Sequence, residues 1–190
     1  ADSYSQENFA MDAVGNFTNG GQTYNAANQL LQDANYNFAF DLNGNMTSKT
    51  RKDGTKQTLF SWDSENRLVG LSMKENAVTV KSVAYKYDGL DSRIEKTFTD
   101  LVTPAKSYTR KFIYEGDNIL AETDATGRLI AFYMQGIGID RPIAMLRDID
   151  NDGLFEEQEM LFYTRDHLGS IRELTNKDGT TVQRYKYSAY

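Results

Sequence analysis

The chain has 190 residues, a net charge of −6, 12% aromatic and 25% charged residues, 14 Gly, 2 Pro and no Cys. That composition is too apolar and aromatic for disorder, and it excludes disulfides and thiolate metal sites. Nowhere do about 18 apolar residues run together, so no membrane-spanning helix is expected, and Ala1-Asp-Ser-Tyr-Ser-Gln-Glu7 lacks the basic and apolar regions of a signal peptide.

Taken in order, the chain repeats one short pattern. Phe9-Ala-Met11-Asp12-Ala-Val-Gly15-Asn16-Phe17 comes first, followed by Tyr24-Asn25-Ala-Ala-Asn28-Gln29-Leu30. The clearest copy is Phe38-Ala-Phe40-Asp41-Leu-Asn-Gly44-Asn45-Met46. Its alternating Phe38 and Phe40 belong on one face of a strand. Asp41 can bond the backbone just ahead of it and start a type I turn. Gly44 supplies the positive φ that closes a hairpin loop with a bulge, and Met46 resumes an apolar strand.

Phe60-Ser-Trp62-Asp63-Ser-Glu-Asn66-Arg67-Leu68 and Tyr85-Lys-Tyr87-Asp88-Gly-Leu-Asp91-Ser92-Arg93-Ile94 continue the series, and Phe112-Ile-Tyr114-Glu115-Gly-Asp-Asn118-Ile119-Leu120 is a weaker sixth copy. Asn stands in the glycine place twice, being the non-glycine residue that best tolerates left-handed backbone. The acids or amides lie 13 to 27 residues apart, which fits hairpins of growing length better than a strict solenoid.

The intervening stretches Val78–Tyr85 and Ser107–Tyr114 are β-branched and aromatic, and Asp53-Gly54 and Asp124–Gly127 supply further turns. Helical periodicity never lasts beyond about two turns. Gln135–Pro142 interrupts the rhythm and is expected to mark a kinked crossing or change of layer. With no linker or low-complexity segment, residues 1–190 are expected to form one all-β domain of tandem hairpins in a curved or spiralling antiparallel sheet.

The net charge has one source. Residues 148–159 carry six acids and no base, and the other 21 acids are matched by 21 Lys and Arg. Without a basic stripe, nucleic acid is not an expected partner. The same twelve residues match an EF-hand calcium loop: Asp148, Asp150 and Asp152 at positions 1, 3 and 5, Gly153 at 6, Glu159 at 12. Leu154 would offer its carbonyl, and Glu156 would act through water. Calcium is therefore the expected cofactor, with Asp148, Asp150, Asp152, Leu154, Glu156 and Glu159 as its ligands. The flanks Pro142–Leu146 and Met160–Tyr163 read as strands, so the ion would pin a hairpin connection and not drive a sensor.

His167, the one histidine, lies beside Asp166 and Ser170. Spacing of three residues in a turn rarely gives triad geometry, so Asp166 and His167 are read as bonding turn backbone around Gly169. Carboxylate pairs such as Asp88 with Asp91, or Glu156 with Glu157, read as exposed turn acids. No phosphate-cradling loop, HExxH or GxSxG is present, so no catalytic residue is assigned and the chain is expected not to be an enzyme.

The aromatic-x-aromatic-Asp-x-x-Gly unit resembles the tyrosine–aspartate (YD) repeat of Rhs proteins, teneurins and toxin-complex shells. Tyr163-Thr-Arg-Asp166-His167-Leu168-Gly169-Ser170-Ile171-Arg172 resembles the Rhs-associated core signature, joined by Leu174–Tyr187 and by Arg141-Pro142-Ile143-Ala144 upstream. The resemblance covers residues 9–190 and implies a β-sheet strip that spirals into a shell enclosing a polypeptide, or a surface used in recognition. No cleavage residue carries over, because the chain stops at Ser188-Ala-Tyr190.

These observations together predict a non-catalytic structural segment, stabilised by calcium, at the surface of or outside a bacterial or archaeal cell. Its expected partners are copies of itself, assembling as a shell or filament, or adjoining repeats of a longer chain, with an enclosed polypeptide or a surface glycan beyond them. The alternative is a carbohydrate-binding or adhesive module displaying Tyr and Trp62.

Overall fold

The structure, a computed structural model, describes residues 10–187. Phe9 of the first repeat, the N-terminal stretch Ala1–Glu7 and Ser188–Tyr190 lie outside the described residues. The protein is all-β, and its antiparallel strands follow one another in the sheet in chain order, as expected of tandem hairpins. They are β1 (Thr23–Tyr24), β2 (Leu30–Gln32), β3 (Tyr36–Phe40), β4 (Met46–Arg51), β5 (Lys56–Trp62), β6 (Leu68–Glu75), β7 (Val78–Tyr87) and β8 (Arg93–Asp100). After these come β9 (Tyr108–Glu115), β10 (Asn118–Thr123), β11 (Leu129–Gln135), β12 (Pro142–Arg147), β13 (Met160–Arg165), β14 (Ile171–Thr175) and β15 (Thr181–Arg184).

The chain, read from sequence as one domain, clusters into two compact units. The first is Ala1–Ala84 with Phe98–Ser107, and the second is Tyr85–Thr97 with Tyr108–Tyr190.

One turn chemistry recurs in both units. At the β3–β4 turn the Asp41 N–H donates to the Asn45 carbonyl at 2.9 Å, and the Gly44 N–H donates to the Asp41 carbonyl at 3.2 Å. Asp41 Oδ1 accepts the N–H groups of Asn43 and Asn45 at 2.9 and 2.8 Å. Gly44 sits at φ +90°, and the register slips between Ala39 and Phe40, the bulge expected of such a loop. The same pair of side-chain bonds is made by Asp12, Asn25, Asp63, Asp88, Asp124, Asp166 and Asn176. A short Asx side chain reaches the second and fourth N–H ahead, so each hairpin closes on its own residue.

The Glu115 copy departs from this pattern. Glu115 pairs directly with Asn118, leaving a two-residue turn with Gly116 at φ +60°. One extra methylene moves a Glu carboxylate out of register for the Asx bonds, and the repeat instead resumes at Asp124. The expected crossing at 135–142 is absent as well. β11 and β12 are sheet neighbours, joined by a loop that closes through the Gly136 N–H to the Arg141 carbonyl at 2.7 Å. Asn118 braces that loop by accepting the Asp140 N–H at 2.9 Å and donating to the Gly138 carbonyl at 3.1 Å. Two glycines and these bonds reverse the chain within the sheet.

The first unit buries little side chain. Val83 is its one buried apolar residue among those described, and the repeat aromatics Tyr36, Phe38 and Phe40 are only half-buried. Lys49 Nζ lies 4.3 Å from the Tyr36 ring centroid, a cation capping the aromatic face. Adjacent turns are tied by amides, with Asn43 and Asn45 both donating to Asn66 Oδ1 at 3.1 and 2.7 Å.

The second unit has a core. Met145, Leu161 and Leu174 are buried and packed by Tyr133, Tyr163 and Tyr185. The row follows from register: Tyr133 lies opposite Met145, Met145 opposite Leu161, and Tyr163 opposite Leu174. Tyr133 donates its hydroxyl to Glu122 Oε1 at 2.7 Å, so the half-buried ring keeps its polar end satisfied. Burial pushes the Tyr163 hydroxyl up to about 12.

Candidate functional site

The acidic loop 148–159 joins β12 to β13, which pair through Ala144 with Phe162 and Leu146 with Met160. The strand flanks read from sequence are therefore present, and a tight hairpin of the repeat type is replaced by a twelve-residue connection. At its start Asp148 is anchored by its backbone, whose N–H donates to the Ile130 carbonyl at 3.1 Å. Its side chain is fully buried.

One Asp148 oxygen is well partnered. Oδ2 accepts Arg128 Nη1 at 2.8 Å and the Gly153 N–H at 3.2 Å. Oδ1 is buried with no hydrogen-bond partner. The carboxylates of Asp148, Asp150 and Asp152 converge, each offering one oxygen so that all three lie within 4.8 Å of one another. Asp150 and Asp152 are exposed. Asp152 Oδ1 accepts the Leu154 N–H at 2.7 Å, and Asp150 Oδ1 accepts the Asp152 N–H at 3.2 Å, which curls the chain around the group.

Glu156 and Glu159, two further members of the expected ligand set, are not part of this group of three. Glu159 is buried, and its carboxylate accepts the N–H groups of Ile149 at 2.5 Å and Glu156 at 3.2 Å. Glu156 caps the 3-10 turn Glu157–Glu159 in a reciprocal capping box and accepts from Gln158. Leu154 is exposed. The structure thus gathers three aspartates, while the two glutamates tie the ends of the loop together.

Arg128 is the residue that sequence reading missed. It follows Gly127 in the Asp124 turn, donates Nε to Asp124 Oδ2 at 3.3 Å, and reaches Asp148 and Asn151 across the loop. A signal was present in the sequence: Arg67 occupies the same place after Asp63 and bonds its Oδ2 at 2.8 Å. The hydroxyl of Thr126, followed by the Arg128 bonds, lowers the Asp124 carboxyl to about 2. Other turn acids are also lowered, Asp12 and Asp63 chiefly by the N–H groups of Asn16 and Arg67.

The remaining candidates are turn residues. Asp166 Oδ1 accepts the N–H groups of Leu168 and Ser170, both at 3.0 Å, Gly169 sits at φ +88°, and His167 is exposed on that turn. Asp88 bonds its own turn, and Asp91 fills the glycine place at φ +65°. Trp62 is half-buried and donates Nε1 to the Met46 carbonyl at 2.8 Å, which ties down the indole proposed as a sugar platform.

No family model matches the chain. Three curated relatives each align with 88% of it. The tRNA3(Ser)-specific nuclease WapA of Bacillus spizizenii is 28% identical over 173 residues, the tRNA(Glu)-specific nuclease WapA of Bacillus subtilis subsp. natto 29% over 170, and the tRNA nuclease WapA of Bacillus subtilis 30% over 170. The chain spans 6% of the length of these relatives. Among solved structures, TcdB2-TccC3-TEV is 13% identical with a TM-score of 0.35, covering 88% of this chain and 11% of that one. A porin-like protein from Bacteroides uniformis is 11% identical with a TM-score of 0.36, covering 93% and 86%.

The expectation of a non-catalytic structural protein that is not an enzyme is overturned by these relatives, which are named for a catalytic activity. The glycan-binding alternative falls with it. A catalytic constellation need not fall inside a segment that covers 6% of the relatives, which is why its lack in the sequence misled. What the WapA relatives support is an Rhs/YD-like relationship at low identity.

Proposed function

We propose that this chain is a segment of a bacterial nuclease that cleaves tRNA. The observation that carries the reading is alignment with three named tRNA nucleases across 88% of the chain, at 28 to 30% identity. The formal charge balance of these 190 residues speaks for this segment alone, so it does not weigh against RNA as a substrate of the whole protein.

Two of those relatives are named for different tRNAs, one for tRNA3(Ser) and one for tRNA(Glu), yet they match this chain almost equally well. That equality favours a segment shared by nucleases of different specificity, with the choice of tRNA made outside it. The partners of the segment are then the adjoining repeats of its longer chain, and its place is the surface or the outside of the cell. Its resemblance to YD-repeat proteins supports both.

The test is cleavage of total tRNA by the intact protein that contains this chain, followed on a denaturing gel. Discrete tRNA fragments are expected. Exchanging this segment for the matching one of a relative should leave the set of tRNAs cut unchanged. Intact tRNA after incubation with folded protein overturns the reading.

A further inference from the structure

We propose that Asp148, Asp150 and Asp152 form a site for one calcium ion, with Asp148 Oδ1 as its innermost ligand. Two observations of different kinds meet there. The first is convergence, with one oxygen from each of the three aspartates inside a 4.8 Å group. Two oxygens bound at about 2.4 Å from a common ion stand at most about 4.8 Å apart, so the three oxygens are close enough to share one ion. The second is an orphan. Asp148 is fully buried, and its Oδ1 has no hydrogen-bond partner. A buried carboxylate oxygen without a partner is costly, and a cation at that position removes the cost.

Arg128 Nη1 and the Gly153 N–H both hold Oδ2, which leaves Oδ1 as the carboxylate oxygen without a hydrogen bond. Held this way, Asp148 has the outer-sphere support that a ligating carboxylate normally carries. The donor set is oxygen only, which suits calcium and disfavours thiophilic metals.

Glu159 acts as a positioning residue. Its two oxygens clamp the N–H groups of Ile149 and Glu156, holding the loop closed from both ends. The ligand set proposed here is therefore narrower than the EF-hand pattern, with waters filling the open side. Arg128 brings a positive charge to the outer edge of the cluster, so the site belongs among weak ones, between about 10⁻⁵ and 10⁻³ M.

Isothermal titration of the chelator-treated chain with Ca²⁺ tests the site without any RNA assay. One ion per chain is expected, together with an unfolding midpoint that rises with Ca²⁺ concentration. Asp150→Asn and Asp152→Asn, both at exposed positions, should keep the circular dichroism of the parent and weaken binding at least tenfold. Glu159→Gln should instead lower the metal-free midpoint and weaken binding less than either. No heat and no midpoint shift at ~10 mM Ca²⁺, unchanged binding in both aspartate variants, or equal binding of Mg²⁺ each overturn the proposal.

Discussion

The two units are made from the same hairpin, yet they hold themselves together differently. In the first, Val83 is the one buried apolar side chain among the described residues, while in the second Ala121, Ile130, Ala131, Ala144, Met145, Leu161 and Leu174 are all buried. Both units close their turns with the same Asx bonds, and the carboxyl pKa values of Asp12, Asp41, Asp53, Asp63 and Asp100 in the first and of Asp124 in the second are lowered. A repeat can thus be stabilised at its ends, by side chains bonding backbone, or at its middle, by rows of apolar residues meeting across strands.

Core truncation should separate the units most sharply. Leu161→Ala in the second unit removes a buried side chain between Met145 and Leu174 and should cost about 3 kcal/mol in denaturant unfolding. Leu71→Ala in the first unit, where the side chain is half-buried, should cost about 1.5 kcal/mol. Equal losses would erase the distinction.

A smaller effect should come from the turns. Gly44→Ala places a Cβ on backbone at φ +90° and should cost about 1 kcal/mol, read in the same unfolding experiment.

Acid should act mainly on the first unit. A carboxyl whose pKa is lowered on folding stabilises the fold fully above its ordinary value of 3.8, and that contribution disappears as pH falls through the lowered value. Between about pH 4 and pH 2, amide exchange should therefore accelerate in the first unit before the second. In the second unit, Asp124→Asn keeps an Asx side chain that can make the turn, as Asn25 and Asn176 do, but removes the titration. Its unfolding midpoint should change less than the parent's over that range. Simultaneous loss of protection in both units would show that turn carboxylates do not set the difference.

Much of the fold was legible because its determinants are local. The Phe38–Met46 stretch carries its strand face, its turn acid and its glycine within nine residues, and all three act as written. Glu115 misled because acidity was counted where side-chain length decides. Gln135–Pro142 misled because the bonds that brace its closed loop come from Asn118, seventeen residues before the start of that stretch. The metal-like aspartates were legible from their spacing, since the chain itself curls them together. Arg128 was legible only for its own turn, where it matches Arg67, because its contact with Asp148 depends on β11 and β12 lying side by side. The enzymatic association is of another kind, since it belongs to proteins of which this chain spans 6%.

The self-closing Asx turn also bears on how the chain folds. Each loop is five residues long where the motif is complete, and within each unit strands contact their sequence neighbours. Closing such loops takes well under a microsecond, and hairpins form in about 1–10 μs, so no distant encounter limits the search. A low contact order predicts rapid, stepwise zippering, in which each finished hairpin offers its outer strand to the next. The twelve-residue acidic connection is the exception. It is the longest closure between β9 and β15, and the step at which zippering should pause.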